Sequence, residues 1–459
     1  MASFIPIACQ SRKVSDCGSR GVIVPRRRSH AVHLVNGSQI IIVGGGPAGS
    51  FAALHLQRLA AVARLTLEII IVEPRDFTRP GPAGCNRCAG ILSATLLSNL
   101  ARLGLQLPEE VVQAELDSYV LHLGAASAVP IIIQRPNPAR RVVAVYRGSG
   151  PRLGTRPLPR SFDGWLMEQA RAGGARIRRG VVKDIQPGPR PVVVTTQEKF
   201  SPDLVLVATG VNAAVPLAAG WAYVPPATET MLQGEALRPA VMPRSAVQVL
   251  FDYAPDALFG SLIPKGRYVS FSLLGHRLPP GVIEDFLQSP SVAAWFPPGT
   301  PSLCLCAPNV AVGPARRYYA DRMAVIGDAA VSRLYKDGIG TAFLTAEAAA
   351  RTAVERGVAA ADFAIGYRPV CRRIARDNLY GHLLFRLWAG TRRRPFLLNG
   401  WRLAVEAERT GPPETHLFTR VLWGMFTGDE TYRDIFRLAL SGPALWRLGG
   451  SALTEWRER

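Results

Sequence analysis

The chain is short of lysine and of acid. Of 459 residues only Lys13, Lys183, Lys199, Lys265 and Lys336 are lysines, so the formal charge of +20 rests on arginine. Acidic residues number 34 against 54 basic ones. Arginine spread along the whole chain gives a basic surface that attracts anionic lipid or nucleic acid only weakly. No nucleic-acid-binding module, internal repeat or long low-complexity segment is present, so nucleic acid is not an expected partner. Seven cysteines (Cys9, Cys17, Cys85, Cys88, Cys304, Cys306 and Cys371) are too few for a disulfide framework at this length. With no secretory signal, the expectation is reduced thiols in a cytoplasmic setting. No apolar run reaches the length of a membrane-spanning helix. Hydrophobic residues at 48% and charged residues at 19% describe a globular chain with a large core, in one large domain or two to three smaller ones.

What is present begins after a basic stretch. Residues 1–38 carry Arg12, Lys13, Arg20, Arg26, Arg27 and Arg28 against one acid, Asp16, without a helical period. A transit peptide has a similar composition; the reading taken here is a flexible basic tail. The apolar run Gln39–Val43 then leads into Gly44-Gly45-Gly46-Pro47-Ala48-Gly49. This pattern reads as a buried strand turning sharply into a helix. Gly44 permits the tight turn, Gly46 lets the backbone approach a pyrophosphate, and Gly49 lets the helix lie on the strand. The helix start, with Pro47 and Ala48, offers free N–H groups and a positive dipole end to an anion. Residues 51–60 continue the helix. A second strand, 65–72, ends in Glu73, where a carboxylate can accept hydrogen bonds from a ribose diol.

Further along, a Pro/Gly/Cys-rich loop at 79–90 precedes a helix from about Ser93 to Leu103. Short β-branched runs at 118–123, 130–134 and 141–146 suit an antiparallel sheet. Ser161 as N-cap, with Asp163 in the first turn, opens a helix that ends at Gly173-Gly174. Residues 203–210 form a strand. Residues 212–314, rich in proline and aromatics, read as an inserted sheet-containing region. The chain returns to α/β character with the strand 322–326, then Gly327-Asp328, then an Ala-rich helix from Gly340 to Arg356. It is helical beyond Asp362.

Taken together, the glycine turn, the 203–210 strand and Gly327-Asp328 resemble the FAD-dependent oxidoreductases of the aromatic-hydroxylase and geranylgeranyl-reductase superfamily. The resemblance covers about residues 39–365. It implies an α/β fold: a Rossmann-type FAD-binding domain (39–211, with a short antiparallel sheet near 118–147, and 315–365), an inserted antiparallel-sheet substrate region (212–314) and a helical C-terminal region (366–459). It implies FAD as cofactor, with Gly44, Gly46, Pro47, Ala48, Gly49 and Glu73 at its ADP half. Asp328, after Gly327, is placed near the ribityl chain and pyrophosphate; it also reads as a helix N-cap. Arg160, before Ser161, Phe162 and Asp163, matches a family arginine that reaches toward the cofactor, or is part of a plain helix start. Lys336-Asp337-Gly338-Ile339-Gly340-Thr341 opens the long helix, and the resemblance puts Gly338, Ile339 and Gly340 beside the flavin's pyrimidine edge. There, backbone N–H groups and a helix dipole stabilise negative charge.

The loop Gly84-Cys85-Asn86-Arg87-Cys88-Ala89-Gly90 looks like a segment of geranylgeranyl reductases, with Cys88 at the family cysteine and Cys85 extra. It reads as a redox pair, as two ligands of a metal completed by Cys304 and Cys306, or as a structured loop in which Cys88 lines the substrate side of the flavin. Cys-x-Cys suits zinc poorly, so no metal is expected. Phe259-Gly260-Ser261-Leu262-Ile263-Pro264 is similar to the Tyr-x-Trp-x-Phe-Pro motif of the prenyl pocket, so Phe259, Ile263 and Pro264 are expected pocket residues. Ser261 in place of tryptophan thins that wall. No Trp-x-Trp-x-Ile-Pro segment of a flavin halogenase is present, and no second Gly-x-Gly-x-x-Gly turn marks a dedicated NAD(P) domain. The expected chemistry is hydride delivery from reduced FAD to a C=C bond of a prenyl or other apolar substrate, with NADPH or a ferredoxin-like carrier as electron donor. The alternative is FAD-dependent monooxygenation of an aromatic or polyketide-like molecule. In the C-terminal region, Leu379, Leu383, Leu384, Leu387 and Trp388 recur at helical spacing before Thr391-Arg392-Arg393-Arg394. They read either as a face packed on a core or as peripheral contact with anionic membrane headgroups.

Overall fold

The computed structural model describes residues 32–86, 89–123, 129–213, 221–251, 253, 257–276, 278–279, 281–297, 299–412 and 415–448. Cys88 and residues 1–31 lie outside them. Residues 32–38, expected to belong to the tail, are tied into the fold: Leu34 is buried and the Val358 N–H donates to the Val32 carbonyl. The apolar Leu34 side chain gains more by burial in the core than the stretch would as solvated tail.

Two sheets organise the chain. The first has six strands in the order Tyr319–Ala320, Met323–Val325, Leu204–Val207, Gln39–Val43, Glu68–Glu73, Arg176–Arg179. All neighbours are parallel except the first pair. Its central strands are continuous apolar runs because helices cover both faces. Helix Pro47–Val62 packs against helix Gly338–Glu355, with Phe51 edge-on to Phe343 at 5.1 Å and His55 at 4.7 Å. Burial lowers the His55 pKa to about 4.

The second sheet runs Cys304–Cys306, Thr228–Leu237, Tyr268–Gly275, Ala257–Lys265, Ala246–Leu250, Ser118–His122, Ile131–Gln134, with Asn309–Ala311 beside Thr228–Leu237. Here the structure corrects the sequence reading. The runs near 118–147 do not form one local sheet. Ser118–His122 pairs antiparallel with Ile131–Gln134 and parallel with Ala246–Leu250. Val142–Val145 instead joins Ile91–Leu92 and Val112–Leu116 in a separate three-stranded sheet. Strand periodicity reports which faces are buried, not which partner supplies the ladder.

The end of the described chain is helical: Arg368–Arg392, Pro395–Glu408, Leu417–Thr427 and Tyr432–Ala439. Leu384 and Trp388 are buried in the second core, whereas Leu379, Leu383 and Leu387 are exposed. Among the described residues no helix is long and apolar enough to cross a membrane.

Candidate functional site

The strand–turn–helix at 39–62 is built as its glycines require. Gly44 has φ +105°, and a Cβ there would lie 2.6 Å from the Ala208 carbonyl oxygen of the adjacent strand's end. A Cβ on Gly49 would lie 1.9 Å from the Gly44 carbonyl oxygen, so only glycine lets the first helical turn sit on the strand end. At Gly46 the nearest atom to an added Cβ is Asn86 Nδ2, at 3.2 Å; the turn is open on that side. Glu73 closes the other side. Its Oε2 accepts from the Gly45 N–H at 2.7 Å and its Oε1 from the Arg75 N–H at 2.8 Å. Each oxygen keeps a free lone pair for a ligand.

A cavity of about 320 Å³ extends from this turn. Gly44, Gly46, Pro47, Ala48 and Glu73 line it, and so do Asp328, Gly338 and Ile339. Segments almost 300 positions apart thus share one chamber, because the strand leading to Gly327 is two places from Gln39–Val43 in the sheet. Gly49, Gly327 and Gly340 do not line it; they shape the backbone beside it. Gly327 has φ +66° and its N–H donates to Thr345 Oγ1 at 3.0 Å.

Asp328 carries an unmet demand. It lines the cavity, and among the described residues its buried Oδ1 has no hydrogen-bond partner. Burial raises its pKa, opposed by the Ser332 hydroxyl and by Arg147. An orphan acceptor at a cavity wall calls for a donor from a ligand.

The opening of helix Gly338–Glu355 supplies the next groups. Asp337 is its N-cap, at φ +52°, and Ser93 Oγ–H donates to Asp337 Oδ1 at 3.1 Å. Burial pushes the Asp337 pKa up to about 7. Lys336 points its ammonium over the Phe259 ring at 4.6 Å and toward Phe426 at 5.5 Å. Among the described residues no carboxylate lies within ion-pair distance of it, and burial lowers its pKa to about 8. Lys336, Tyr335 and Phe426 all line the cavity.

Arg160 stands elsewhere. It is on the surface, bonded to Glu110 and to Glu168, and is not among the lining residues. The arginines at the cavity are Arg75, Arg147 and Arg333; of these Arg147 is nearly buried and held bidentate by Asp163 at 2.5 and 2.9 Å. Asn86 also donates to Asp163. Helix 162–172 therefore does contribute to the site, through Asp163 in its first turn rather than through the residue before its cap. Nothing local in the sequence distinguishes Arg147 among so many arginines.

Phe259, Ile263 and Pro264 lie one layer behind the cavity. Their strand, Ala257–Lys265, is internal to the second sheet, so its side chains fill the packed faces. Phe259 acts through its neighbours, meeting Phe426 at 6.0 Å and Phe385 at 6.4 Å. The apolar lining comes instead from Ile91, Met231, Val310 and Phe426.

Cys85, Cys304 and Cys306 meet at a second cavity of about 30 Å³, together with Glu235, Lys265 and Arg147, which lines both chambers. Among the described residues no group of three or more His, Cys, Asp or Glu is placed to hold a metal.

No protein-family model matches this chain, and no curated protein matches it in sequence. Solved structures do match. A geranylgeranyl bacteriochlorophyll reductase-like protein from Thermoplasma acidophilum is similar with a TM-score of 0.61 at 15% identity, over 91% of this chain and 100% of that one. A flavoprotein/dehydrogenase from Cytophaga hutchinsonii gives 0.58 at 15% identity, over 87% and 98%. A triple mutant of a flavin-dependent brominase gives 0.56 at 15% identity, over 92% and 99%. At these identities the likeness is one of fold, shared by enzymes of several reaction types.

Proposed function

We propose that this Rossmann-type flavoprotein fold binds FAD in the 320 Å³ cavity and serves as an FAD-dependent oxidoreductase that reduces C=C bonds of an apolar, isoprenoid-like substrate. The observation that carries the cofactor reading is Asp328 Oδ1, a buried acceptor without a donor between two helix N-termini. A dinucleotide with a polyhydroxylated chain between its phosphates and its ring meets that demand. The N-terminus of helix Pro47–Val62, open at Gly46, suits the pyrophosphate. Glu73 suits the adenosine ribose diol. The N–H groups of Gly338 and Ile339, at the start of the second helix, suit the edge of the ring where negative charge collects.

When bound, FAD supplies the hydride, and the chain supplies position, exclusion of water and a proton. Tyr335, Phe426, Met231 and Ile91 form an apolar wall. Lys336 is the proton source this reading assigns: a single buried ammonium at the cavity, with a pKa of about 8, releases a proton at physiological pH far more readily than an ordinary lysine. NADPH or a ferredoxin-like carrier is assigned as electron donor.

The test is anaerobic. Purified protein is titrated with FAD, reduced with dithionite and mixed with a polyprenyl diphosphate, following flavin absorbance and product mass. Reoxidation coupled to a product two hydrogens heavier supports the reductase. A product that requires O2 replaces it with the monooxygenase, and failure to bind FAD removes both.

A further inference from the structure

The longest helix among the described residues, Arg368–Arg392, has two faces of different chemistry. Cys371, Ile374, Asn378, Gly381, Leu384 and Trp388 are buried. At 100° per residue these positions fall on one side of the helix. The opposite side presents Arg372, Arg376, Leu379, Leu383, Arg386 and Leu387, all exposed. The leucines are 62%, 44% and 50% exposed and span about 12 Å of helix at i, i+4 and i+8. An amphipathic helix of a solvated surface carries charged and polar residues there; this one carries a leucine stripe flanked by arginine.

The charge is of one sign. The only acid in this helix is Asp377, and its carboxylate accepts the N–H groups of Tyr432 and Arg433 at 3.0 and 2.9 Å. It serves the start of helix Tyr432–Ala439 and faces Arg333 at 4.0 Å, which leaves the outer arginines unneutralised. Among the described residues no carboxylate lies within ion-pair distance of Arg372, Arg376 or Arg386, and Arg393, Arg394 and the half-exposed Phe396 continue the same character past the helix end.

From this pattern we infer that the outer face of helix 368–392 docks on an anionic lipid bilayer. Leucines entering the headgroup–acyl boundary between arginines that meet lipid phosphates satisfy both halves of the pattern. A second copy of the chain fits it poorly: a two-fold contact would set Arg372, Arg376 and Arg386 against their equivalents with no acid between. Nucleic acid leaves the leucines in water. The inner side of the same helix carries Phe385, which meets Tyr335 of the cavity wall at 5.2 Å. A bilayer on the outer face therefore lies one helix away from the cavity. The inference rests on the surface alone and stands whatever the cavity binds.

The test is vesicle co-sedimentation of the full chain, with vesicles of phosphatidylcholine mixed with phosphatidylglycerol against phosphatidylcholine alone. Binding is expected only to the anionic vesicles and is expected to fall with salt. Each arginine at an anionic surface contributes about fivefold to partitioning, so the Arg372→Gln/Arg376→Gln/Arg386→Gln protein is expected to bind roughly a hundredfold more weakly. The Leu379→Gln/Leu383→Gln/Leu387→Gln protein is also expected to lose binding, with an unchanged circular dichroism spectrum. No sedimentation with anionic vesicles at low salt overturns the inference. So does arginine-variant binding equal to that of the parent, or a parent dimer that the leucine variant turns into monomer.

Discussion

Asp337→Asn tests the electrostatics of the site most directly. Asp337 sits at φ +52°, a conformation asparagine tolerates better than most residues, and Asn Oδ1 can still accept from Ser93 Oγ–H. The substitution therefore removes the ionisation and little else. Burial raises the Asp337 pKa from 3.8 to about 7. Between those values the folded chain holds a proton that the unfolded chain has released, so folding loses stability as pH rises through this interval. The full loss is about 4 kcal/mol, reached once pH exceeds 7. Asp328 and Glu235 are shifted in the same direction, but both proteins contain them, and they cancel in the difference. Denaturant unfolding of the flavin-free proteins at pH 4, 6 and 8 is the assay. The variant is expected to match the parent at pH 4 and to exceed it increasingly by pH 8. Parallel curves across the whole range would refute the placement of Asp337 as a carboxyl whose burial outweighs the Ser93 hydrogen bond and the nearby Arg333.

Gly46→Ala and Gly49→Ala separate cofactor contact from folding: the first is expected to fold and lose FAD affinity at least tenfold by flavin titration, since its Cβ enters the cavity side. The second is expected to fold poorly, because its Cβ meets the Gly44 carbonyl at 1.9 Å. Arg147→Met leaves Asp163 buried without its guanidinium and is expected to cost about 3–5 kcal/mol in denaturant unfolding, while Arg160→Met, at the surface, is expected to cost under about 1 kcal/mol. If Lys336 gives up the proton, turnover falls as pH rises through about 8, where the ammonium is lost; Lys336→Arg moves that limb upward, and an unmoved limb assigns it to another group.

Much of the site was legible because it is local. A glycine turn between an apolar run and a helix, and an acid at the end of the next strand, are chemical requirements met within a few residues of one another. Gly44, Gly46, Pro47, Ala48 and Glu73 do line one cavity. So do Asp328, Gly338 and Ile339, which were legible only through family resemblance. Arg160 misled because its neighbour in sequence, Asp163, turns inward from the helix while Arg160 precedes the cap and faces water. The Phe259–Pro264 segment misled because a motif gives residue types but not the depth of its strand within a sheet.

The sequence by itself determined the strand–turn–helix, the helix cap at Ser161, and the apolar content of the C-terminal helices. Each follows from forces acting over a turn or two of chain. Tertiary structure alone decided that Arg147 rather than Arg160 reaches the cavity, that Cys85, Cys304 and Cys306 line one small cavity, and that Leu379, Leu383 and Leu387 stay in water while Leu384 and Trp388 do not. Leucine is equally apolar at all four of its positions. Which of them is buried depends on the surface that packs against the helix, and that surface comes from residues far away in the chain.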